Sequence, residues 1–239
     1  RIEYLDLMPE NRMKTVSIIT ACLFLPCGAI AQQPSPAKPD ESYVRPYYVQ
    51  KVSLHQQLSN TKNGIVFIGD SITDGNEWAE QLNCIRCQNR GISGDISAGV
   101  LARLDDILAQ KPAKIFLMIG INDISRNIPN ERIIGNYKEF VRRTRTLSPR
   151  TRIYLQSVLP TNDTFRKFVD KNDESIKVLN TAMAEIARGG RAVTYIDLYN
   201  RFLDAEGRLD KRYANDGLHL LGEGYVLWAS ILKSGGYLK

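Results

Sequence analysis

The chain has 239 residues, 43% of them hydrophobic and 24% charged, which is enough for one domain with a buried core and typical of an ordinary globular protein. Its formal charge of +6 is spread along the sequence without a long basic block. That spread, and the lack of any nucleic-acid-binding motif, exclude nucleic acid as an expected partner.

The N-terminal residues have the pattern of a secretory leader. Lys14 follows Met13, an apolar run covers 16–25, and small residues precede the predicted cleavage after Ala31. We therefore predict that residues 1–31 hold upstream residues and a signal peptide that starts at Met13. Because the run is too short for a membrane helix, we expect export to the periplasm or the extracellular space, with no membrane span in the mature chain.

Four cysteines are present, and two of them, Cys22 and Cys27, lie in the predicted leader. Lipidation at Cys27 is an alternative to cleavage after Ala31, but Pro26 directly before it fits that reading poorly. Cys84 and Cys87 either close a small disulfide loop in an oxidising compartment or are small buried hydrophobic residues. A redox or zinc role is not expected because the context is not thioredoxin-like and no second ligand pair exists.

The remaining chain alternates between strand-like and helix-like segments. Residues 32–42 are Pro-rich and predicted to be a linker, and 43–239 are predicted to be a single domain that begins with a short helix within 43–63. Apolar runs predict strands at 65–69, near 86–90, and at 115–119, 153–158 and 193–197. Helical spacing of apolar residues predicts helices at about 77–83, 98–109, 131–147, 173–188 and 222–234. This alternation predicts an α/β fold whose parallel sheet is covered on both faces.

Small polar residues and glycines follow three of the predicted strands. They occur at Gly69-Asp70-Ser71, at Gly91-Ile92-Ser93-Gly94-Asp95 and at Gly120-Ile121-Asn122-Asp123. Ligands of open parallel sheets bind outside the carboxyl ends of the strands. We therefore expect these three segments to meet at one site.

Ser71 is the candidate nucleophile, and a serine hydroxyl needs a neighbouring base to react at neutral pH. Of the two histidines, His219 precedes the last helix and follows Asp216 by three residues, so that carboxylate can orient the imidazole ring. His55 has no carboxylate in a similar relation and is interpreted as a surface or packing residue. Ser71, His219 and Asp216 are thus the predicted catalytic residues.

Ester hydrolysis also needs donors for the oxyanion that forms during the reaction. The candidates are the backbone N–H of Ser71, the backbone N–H of Gly94 and the side-chain amide of Asn122. Each motif alone has a simpler reading, because Asn122-Asp123 can cap a helix and Asp216-Gly217 is a common turn. Their joint occurrence in this order makes the simpler readings improbable together.

These four segments resemble the sequence blocks of the SGNH hydrolases, also called GDSL esterases. The matching blocks are Gly69-Asp70-Ser71-Ile72, Asn89-Arg90-Gly91-Ile92-Ser93-Gly94-Asp95, Gly120-Ile121-Asn122-Asp123 and Asp216-Gly217-Leu218-His219. The resemblance covers about residues 64–234 and is greatest to the branch of platelet-activating-factor acetylhydrolase-like proteins and carbohydrate O-acetylesterases. It implies a three-layer α/β/α sandwich with a five-stranded parallel sheet in flavodoxin-like order, and the same roles for the five site residues.

The sequence therefore predicts an exported serine ester hydrolase that works through an acyl-serine intermediate, with no metal or cofactor. Removal of O-acetyl groups from a sugar or glycan is the first expectation. A lipid or lysophospholipid esterase, a thioesterase, and a non-catalytic glycan-binding protein are the alternatives. Arg126, Asn162 and Asp163 are the candidate substrate-binding residues, since they lie beyond strand ends; a solvated surface role is the alternative for Arg126.

Overall fold

The computed structural model describes residues 41–58, 61, 63–165, 173–190 and 192–239. The predicted leader, residues 1–31, and almost all of the predicted linker, 32–42, lie outside the described residues. Within the described ranges, no helix is both long enough and apolar enough to cross a membrane.

Short strands alternate with helices along the described chain. The strands are β1 Ile65–Gly69, β2 Cys87–Gly91, β3 Lys114–Met118, β4 Arg152–Gln156 and β5 Val193–Ile196. The helices are α1 Pro46–Gln57, α2 Ser71–Asp74, α3 Trp78–Gln81, α4 Ser97–Ala102, α5 Leu104–Ala109, α6 Ile121–Ser125, α7 Asn130–Leu147, α8 Asp173–Arg188 and α9 Gly222–Ser234, with a 3-10 turn at Tyr199–Arg201. The predicted strands and the predicted helices at 131–147, 173–188 and 222–234 are confirmed to within a few residues.

The five described strands form one sheet in the order β2-β1-β3-β4-β5. Every pairing is parallel. This is the predicted flavodoxin-like order, whose direction reverses between β1 and β3. The carboxyl ends of β1, β2 and β3, which carry the three predicted polar segments, are therefore side by side.

A row of aromatic rings covers one face of the sheet. Phe67 of β1 stacks on Phe116 of β3 at 4.9 Å between ring centroids, and Phe116 stacks on Tyr154 of β4 at 4.5 Å. Trp78 of α3 lies flat on Phe67 at 3.9 Å, and Trp228 of α9 meets Trp78 edge-on at 4.7 Å. Because aromatic rings bury large apolar areas, these contacts fix α3 and α9 on this face.

The other face is covered by the amphipathic helices α7 and α8. Ile133, Tyr137 and Phe140 repeat at helical spacing along α7 and are buried, and α7 ends at Leu147, where Ser148 and a proline follow. Helix α8 packs against β4, β5 and α7. Helices on both faces complete the predicted three-layer sandwich.

One predicted helix is divided in the structure. The segment predicted as a single helix over 98–109 is split into α4 and α5 at Arg103, whose ψ of 4° departs from helical geometry. The Arg103 side chain is buried and ion-paired with Asp95. The break thus lies at a buried ion pair, which the spacing of apolar residues cannot predict.

Cys84 and Cys87 are joined by a disulfide. The bond closes the turn that leads into β2, whose first residue is Cys87. Of the two alternatives that the sequence left open, the structure therefore has the small disulfide loop.

Candidate active site

Ser71 lies directly after β1 and is the first residue of α2. The Asp70 side chain caps this short helix by accepting a hydrogen bond from the Ile72 N–H at 3.0 Å. Gly69 is required by close packing, because a Cβ there would lie 2.3 Å from the Met118 carbonyl oxygen. The end of β1 therefore presents Ser71 next to the end of β3.

His219 meets Ser71 from the loop that precedes α9. Its Nε2 lies 3.0 Å from Ser71 Oγ, and its Nδ1 lies 2.7 Å from Asp216 Oδ2. The other carboxylate oxygen of Asp216 accepts the backbone N–H groups of Leu218 and His219, at 2.9 and 2.8 Å. The structure thus brings the three predicted catalytic residues into one hydrogen-bonded chain.

The environment of Asp216 keeps its carboxylate ionised. Burial alone would raise its pKa, but hydrogen bonds from the His219 ring and from the two backbone N–H groups lower the pKa below the ordinary value. An ionised Asp216 accepts a hydrogen bond from the Nδ1–H group, which leaves Nε2 as the acceptor that faces Ser71. Ser71 is only partly buried and the His219 side chain is 41% exposed, so this pair is open to solvent.

The three predicted oxyanion donors lie just beyond the carboxyl ends of the neighbouring strands β1, β2 and β3. The backbone N–H groups of Ser71 and Gly94 have no acceptor among the described residues. The Asn122 amide nitrogen donates one hydrogen to the Asp95 carbonyl at 2.9 Å, which fixes the amide and leaves its second hydrogen available. Gly94 has a φ of +80°, a conformation that L side chains rarely adopt.

A buried ion pair lies behind these donors. Arg103 and Asp95 are 4% and 1% exposed, and two guanidinium nitrogens of Arg103 lie 3.0 and 2.9 Å from one Asp95 oxygen. Arg103 also donates to the carbonyls of Arg90, at 2.6 Å, and Gly69, at 3.2 Å. One side chain thus ties the ends of β1 and β2 to the loop that carries Gly94.

Two further buried carboxyl groups support the same loops. Burial raises the pKa of Asp70 to about 7 and that of Asp123 to about 6, although hydrogen bonds from the Ile72 and Ser97 N–H groups oppose these shifts. Asp123 Oδ1 also accepts the Ser97 hydroxyl at 2.5 Å. Asp123 therefore joins the start of α4 to α6, the helix that contains Asn122.

The three candidate substrate-binding residues have different surroundings. The side chain of Asn162 does not fit the predicted role in substrate binding. It is fully buried and hydrogen-bonded to Leu209 and Thr164, so it organises a loop. Arg126 donates to the Gly94 carbonyl at 2.6 Å. Asp163 is about half exposed, and its ion pair with Arg208 is long at 3.9 Å.

Some residues of this region were missed by the sequence prediction. Arg103 was assigned to a helix without any further role, although a charge between apolar residues in Leu101-Ala102-Arg103-Leu104 is a signal of a buried partner. His55, interpreted as a surface or packing residue, is 9% exposed and lies away from the serine-histidine chain. Burial, with the positive charges of Arg90 and Arg103, lowers its pKa to about 3.

The fold and the donor set define a class of protein, the α/β hydrolytic enzymes with a serine at a strand end. The profile of the GDSL-like Lipase/Acylhydrolase family matches residues 67–227. The chain belongs to this family and is a carboxylic ester hydrolase.

Known proteins share both sequence and fold with the chain. It is 26% identical over 168 residues to human platelet-activating factor acetylhydrolase IB subunit alpha2, covering 68% of this chain and 71% of the human protein. A Streptococcus pneumonia structure, provisionally described as a platelet activating factor, superimposes with a TM-score of 0.72 at 32% identity, over 81% of this chain and 91% of that chain. An acetylxylan esterase from Geobacillus stearothermophilus has a TM-score of 0.60 at 23% identity, over 74% and 97% of the two chains.

Proposed function

We propose that the protein is an exported esterase that removes O-acetyl groups from a sugar or glycan, with Ser71 as nucleophile, His219 as general base and acid, and Asp216 as the orienting carboxylate. The observation that carries these roles is the Ser71–His219–Asp216 chain, with heavy-atom distances of 3.0 and 2.7 Å. Both distances are within hydrogen-bond reach, so the proton of Ser71 can pass to His219 without rearrangement.

In the first half of the reaction, Ser71 Oγ attacks the ester carbonyl and its proton passes to His219 Nε2. The positive imidazolium is stabilised by the ionised Asp216. When the tetrahedral intermediate collapses, His219 gives the proton to the leaving alcohol and an acyl-serine ester remains. In the second half, His219 takes a proton from water, which attacks the acyl-serine; as the second tetrahedral intermediate collapses, His219 returns the proton to Ser71 Oγ and the carboxylic acid is released.

The negative charge on the tetrahedral oxygen is taken up by the N–H groups of Ser71 and Gly94 and by the Asn122 amide. These donors are held before substrate arrives, because Asp95 fixes Asn122 and Arg126 bonds the Gly94 carbonyl. Preorganised donors of this kind are each worth roughly 3–4 kcal/mol of barrier.

Two considerations support an acetyl group as the acyl part. The curated relatives are acetylhydrolases by name, and a structure with the same fold is an acetylxylan esterase. A sugar or glycan as the alcohol is supported by the exposure of the serine-histidine pair, which leaves room for a bulky leaving group. Export is supported by the leader-like sequence before residue 32 and by the Cys84–Cys87 disulfide, since such bonds persist in oxidising compartments.

A lipid ester is the second candidate, because the human relative is named for a phospholipid mediator. The purified chain should be offered acetylated xylo-oligosaccharides, acetylated phospholipid, longer acyl esters and acyl thioesters. A kcat/KM that is highest for acetylated sugars supports the first proposal. Preference for the phospholipid or for long acyl chains would replace it with the second.

The catalytic roles are tested by Ser71→Ala. We expect kcat on a short nitrophenyl ester to fall by at least about 10⁴-fold, because only binding and the oxyanion donors would remain. The unfolding temperature should stay close to that of the parent. Ser230→Ala, which changes an exposed hydroxyl on α9, is the matched control and should keep full activity.

A fluorophosphonate probe gives a second, independent readout. It should label the parent at Ser71 and leave Ser71→Ala unlabelled. Full activity of Ser71→Ala, or an unlabelled parent, would contradict the assignment, and an unlabelled, inactive parent would favour a glycan-binding protein.

A further inference from the structure

A second pocket lies on the α1 side of the molecule, away from Ser71 and His219. Its walls come from α1, from α5 and from Arg90 of β2, and its volume is about 220 Å³. Gln56 of α1 donates a hydrogen bond to Asp106 of α5 at 2.7 Å, which joins the two helices beside the pocket. The volume is below the ~300 Å³ at which pockets for drug-sized ligands begin, so it suits a small molecule.

Arg90 is a buried cation in this pocket that forms no ion pair with a described residue, although the carboxylate of Asp106 also lines the pocket. The residue is 3% exposed, and its only side-chain hydrogen bond to described residues goes from Nη1 to the Asn89 carbonyl. Its other guanidinium nitrogens are not sealed off, since they are not among the buried polar atoms that lack a partner. Burying a charge without a partner is costly, so a site of this kind favours an anion.

The neighbouring arginine shows the contrast. Arg103 also lines the pocket, but its guanidinium is paired with Asp95. The pKa of Arg90 is lowered by burial and by the charge of Arg103, and no carboxylate offsets this. A net positive charge therefore remains at the Arg90 end of the pocket.

His55 lies in the same positively charged environment. It lines the pocket, and neither ring nitrogen has a hydrogen-bond partner among the described residues. Its pKa is lowered to about 3 by burial and by the charges of Arg90, Arg103 and Lys51, against a smaller opposing effect of Asp74. A neutral His55 can donate one hydrogen bond to a bound oxyanion without adding charge.

We infer that this pocket binds a small monocarboxylate whose oxygens pair with Arg90 and His55 and whose short apolar group rests on Val52 and Ile107. The planar guanidinium fork of arginine matches a carboxylate in geometry and charge. The apolar side chains of Val52 and Ile107 in the same lining favour a carboxylate with a short alkyl group over phosphate, which is polar on every side. None of the residues that form the serine-histidine chain or its oxyanion donors lines this pocket, so a bound carboxylate does not contact them, although Arg103 both lines the pocket and supports the Gly94 loop.

Nitrogen-15 NMR tests the site directly, because the chain contains only two histidines. Sodium butyrate, acetate and phosphate are titrated in turn into the full-length protein at constant pH and ionic strength. We expect butyrate to shift the ring signals of His55 in a saturable way, with acetate weaker and phosphate weaker still. His55→Gln identifies the His55 signals, and those of His219 report any binding at the catalytic end.

Arg90→Gln removes the proposed anion partner, and Arg86→Gln removes the same charge from an exposed position on the same segment. Butyrate affinity should fall about tenfold or more in Arg90→Gln, the loss expected for a charged hydrogen bond, and stay unchanged in Arg86→Gln. The inference is overturned if His55 does not respond, if only His219 responds, if phosphate binds as well as butyrate, or if folded Arg90→Gln retains parental affinity. The His55 titration of the parent decides the matter should Arg90→Gln fail to fold.

Discussion

The two halves of the proposed catalytic site are supported in different ways. The half that carries Ser71, Gly94 and Asn122 rests on buried charged groups, with Arg103, Asp95 and Asp123 between 0% and 4% exposed. The half that carries Asp216 and His219 lies on a partly exposed loop, with side-chain exposures of 23% and 41%. The first half therefore rests on groups of the core, whereas the second lies on a surface loop.

The loop of the second half is ordered mainly by contacts within itself. Asp216 bonds residues two and three positions ahead, and the longer-range backbone contact is the Asn162 N–H to the Gly217 carbonyl at 2.9 Å. Gly217, at a φ of +83°, has no room for a side chain, because a Cβ would lie 2.4 Å from the Asn162 carbonyl oxygen. We therefore expect substitutions in the first half to affect both folding and catalysis, and substitutions in the second half to affect catalysis alone.

The largest expected effect is on catalysis in the second half. In Asp216→Asn, Oδ1 still accepts the backbone N–H groups, but the new amide donates to His219 Nδ1 and moves the ring proton to Nε2. That nitrogen can no longer accept the proton of Ser71, so kcat should fall by about 10⁴-fold. Steady-state kinetics on an acetyl ester measure the loss.

The control for this change is Asp197→Asn, at an exposed carboxylate that follows β5. It should keep parental kcat. The free energy of unfolding should change little in both variants. A large loss of stability in Asp216→Asn would show that the two halves are not supported differently.

The next effect is on stability in the first half. Arg103→Met leaves Asp95 buried without its partner, which should lower the free energy of unfolding by about 3–5 kcal/mol. Activity should fall as well, because the Asp95 side chain and the Gly69 carbonyl lose the hydrogen bonds that Arg103 donates. Urea unfolding and acetyl-ester kinetics give the two measurements.

Arg142→Met breaks an exposed ion pair with Glu139 and serves as the matched control. Exposed pairs contribute little, so both measurements should stay near the parental values. Equal losses in the two variants would remove the distinction between a buried and a surface support.

The smallest effect concerns pH. The pKa of Asp70 is raised to about 7 in the folded protein, above its ordinary value of 3.8, so the folded state binds more protons than the unfolded state between these values. Asp70 therefore makes stability fall as pH rises from about 4 to 7. Asp70→Asn keeps the cap to Ile72 and should flatten this part of the stability profile.

Chemical unfolding at several pH values between these limits measures the difference between parent and Asp70→Asn. The other buried carboxyl groups, Asp95 and Asp123, whose charges contribute to the raised pKa of Asp70, are present in both proteins. A profile of Asp70→Asn that is parallel to that of the parent would show that Asp70 does not hold a proton in the folded state.

Much of the fold could be predicted because its elements are local patterns. The apolar strand of Ile65–Gly69 and the periodic helix α7 are visible in short windows of sequence, and parallel order follows from their alternation. Ser71 and His219 could be paired because the chain offers two histidines, and one of them has Asp216 beside it.

What could not be predicted depends on contacts between distant residues. The spacing of apolar residues predicts one helix through Arg103, but in the structure the helix ends there. The partners of Arg103, which are Asp95 and the carbonyls of Arg90 and Gly69, are brought together only by the sheet. Asn162 has the residue type of a substrate contact, but its burial depends on the loop around Leu209. Whether Cys84 and Cys87 form a disulfide depends on the geometry of the turn between them, and the amino-acid sequence alone does not give that geometry.

The position of β2 at an outer edge of the described sheet has a consequence for how the enzyme loses activity. Edge strands have neighbours on one side only and belong to the parts of a protein that open first in hydrogen exchange. This strand leads directly into the Gly94 loop, and it is clamped at its start by the disulfide and at its end by Arg103. The disulfide and Arg103 therefore protect the proposed oxyanion donor Gly94 as well as the strand, because opening of this edge would remove that donor while β3, β4 and β5 stay paired.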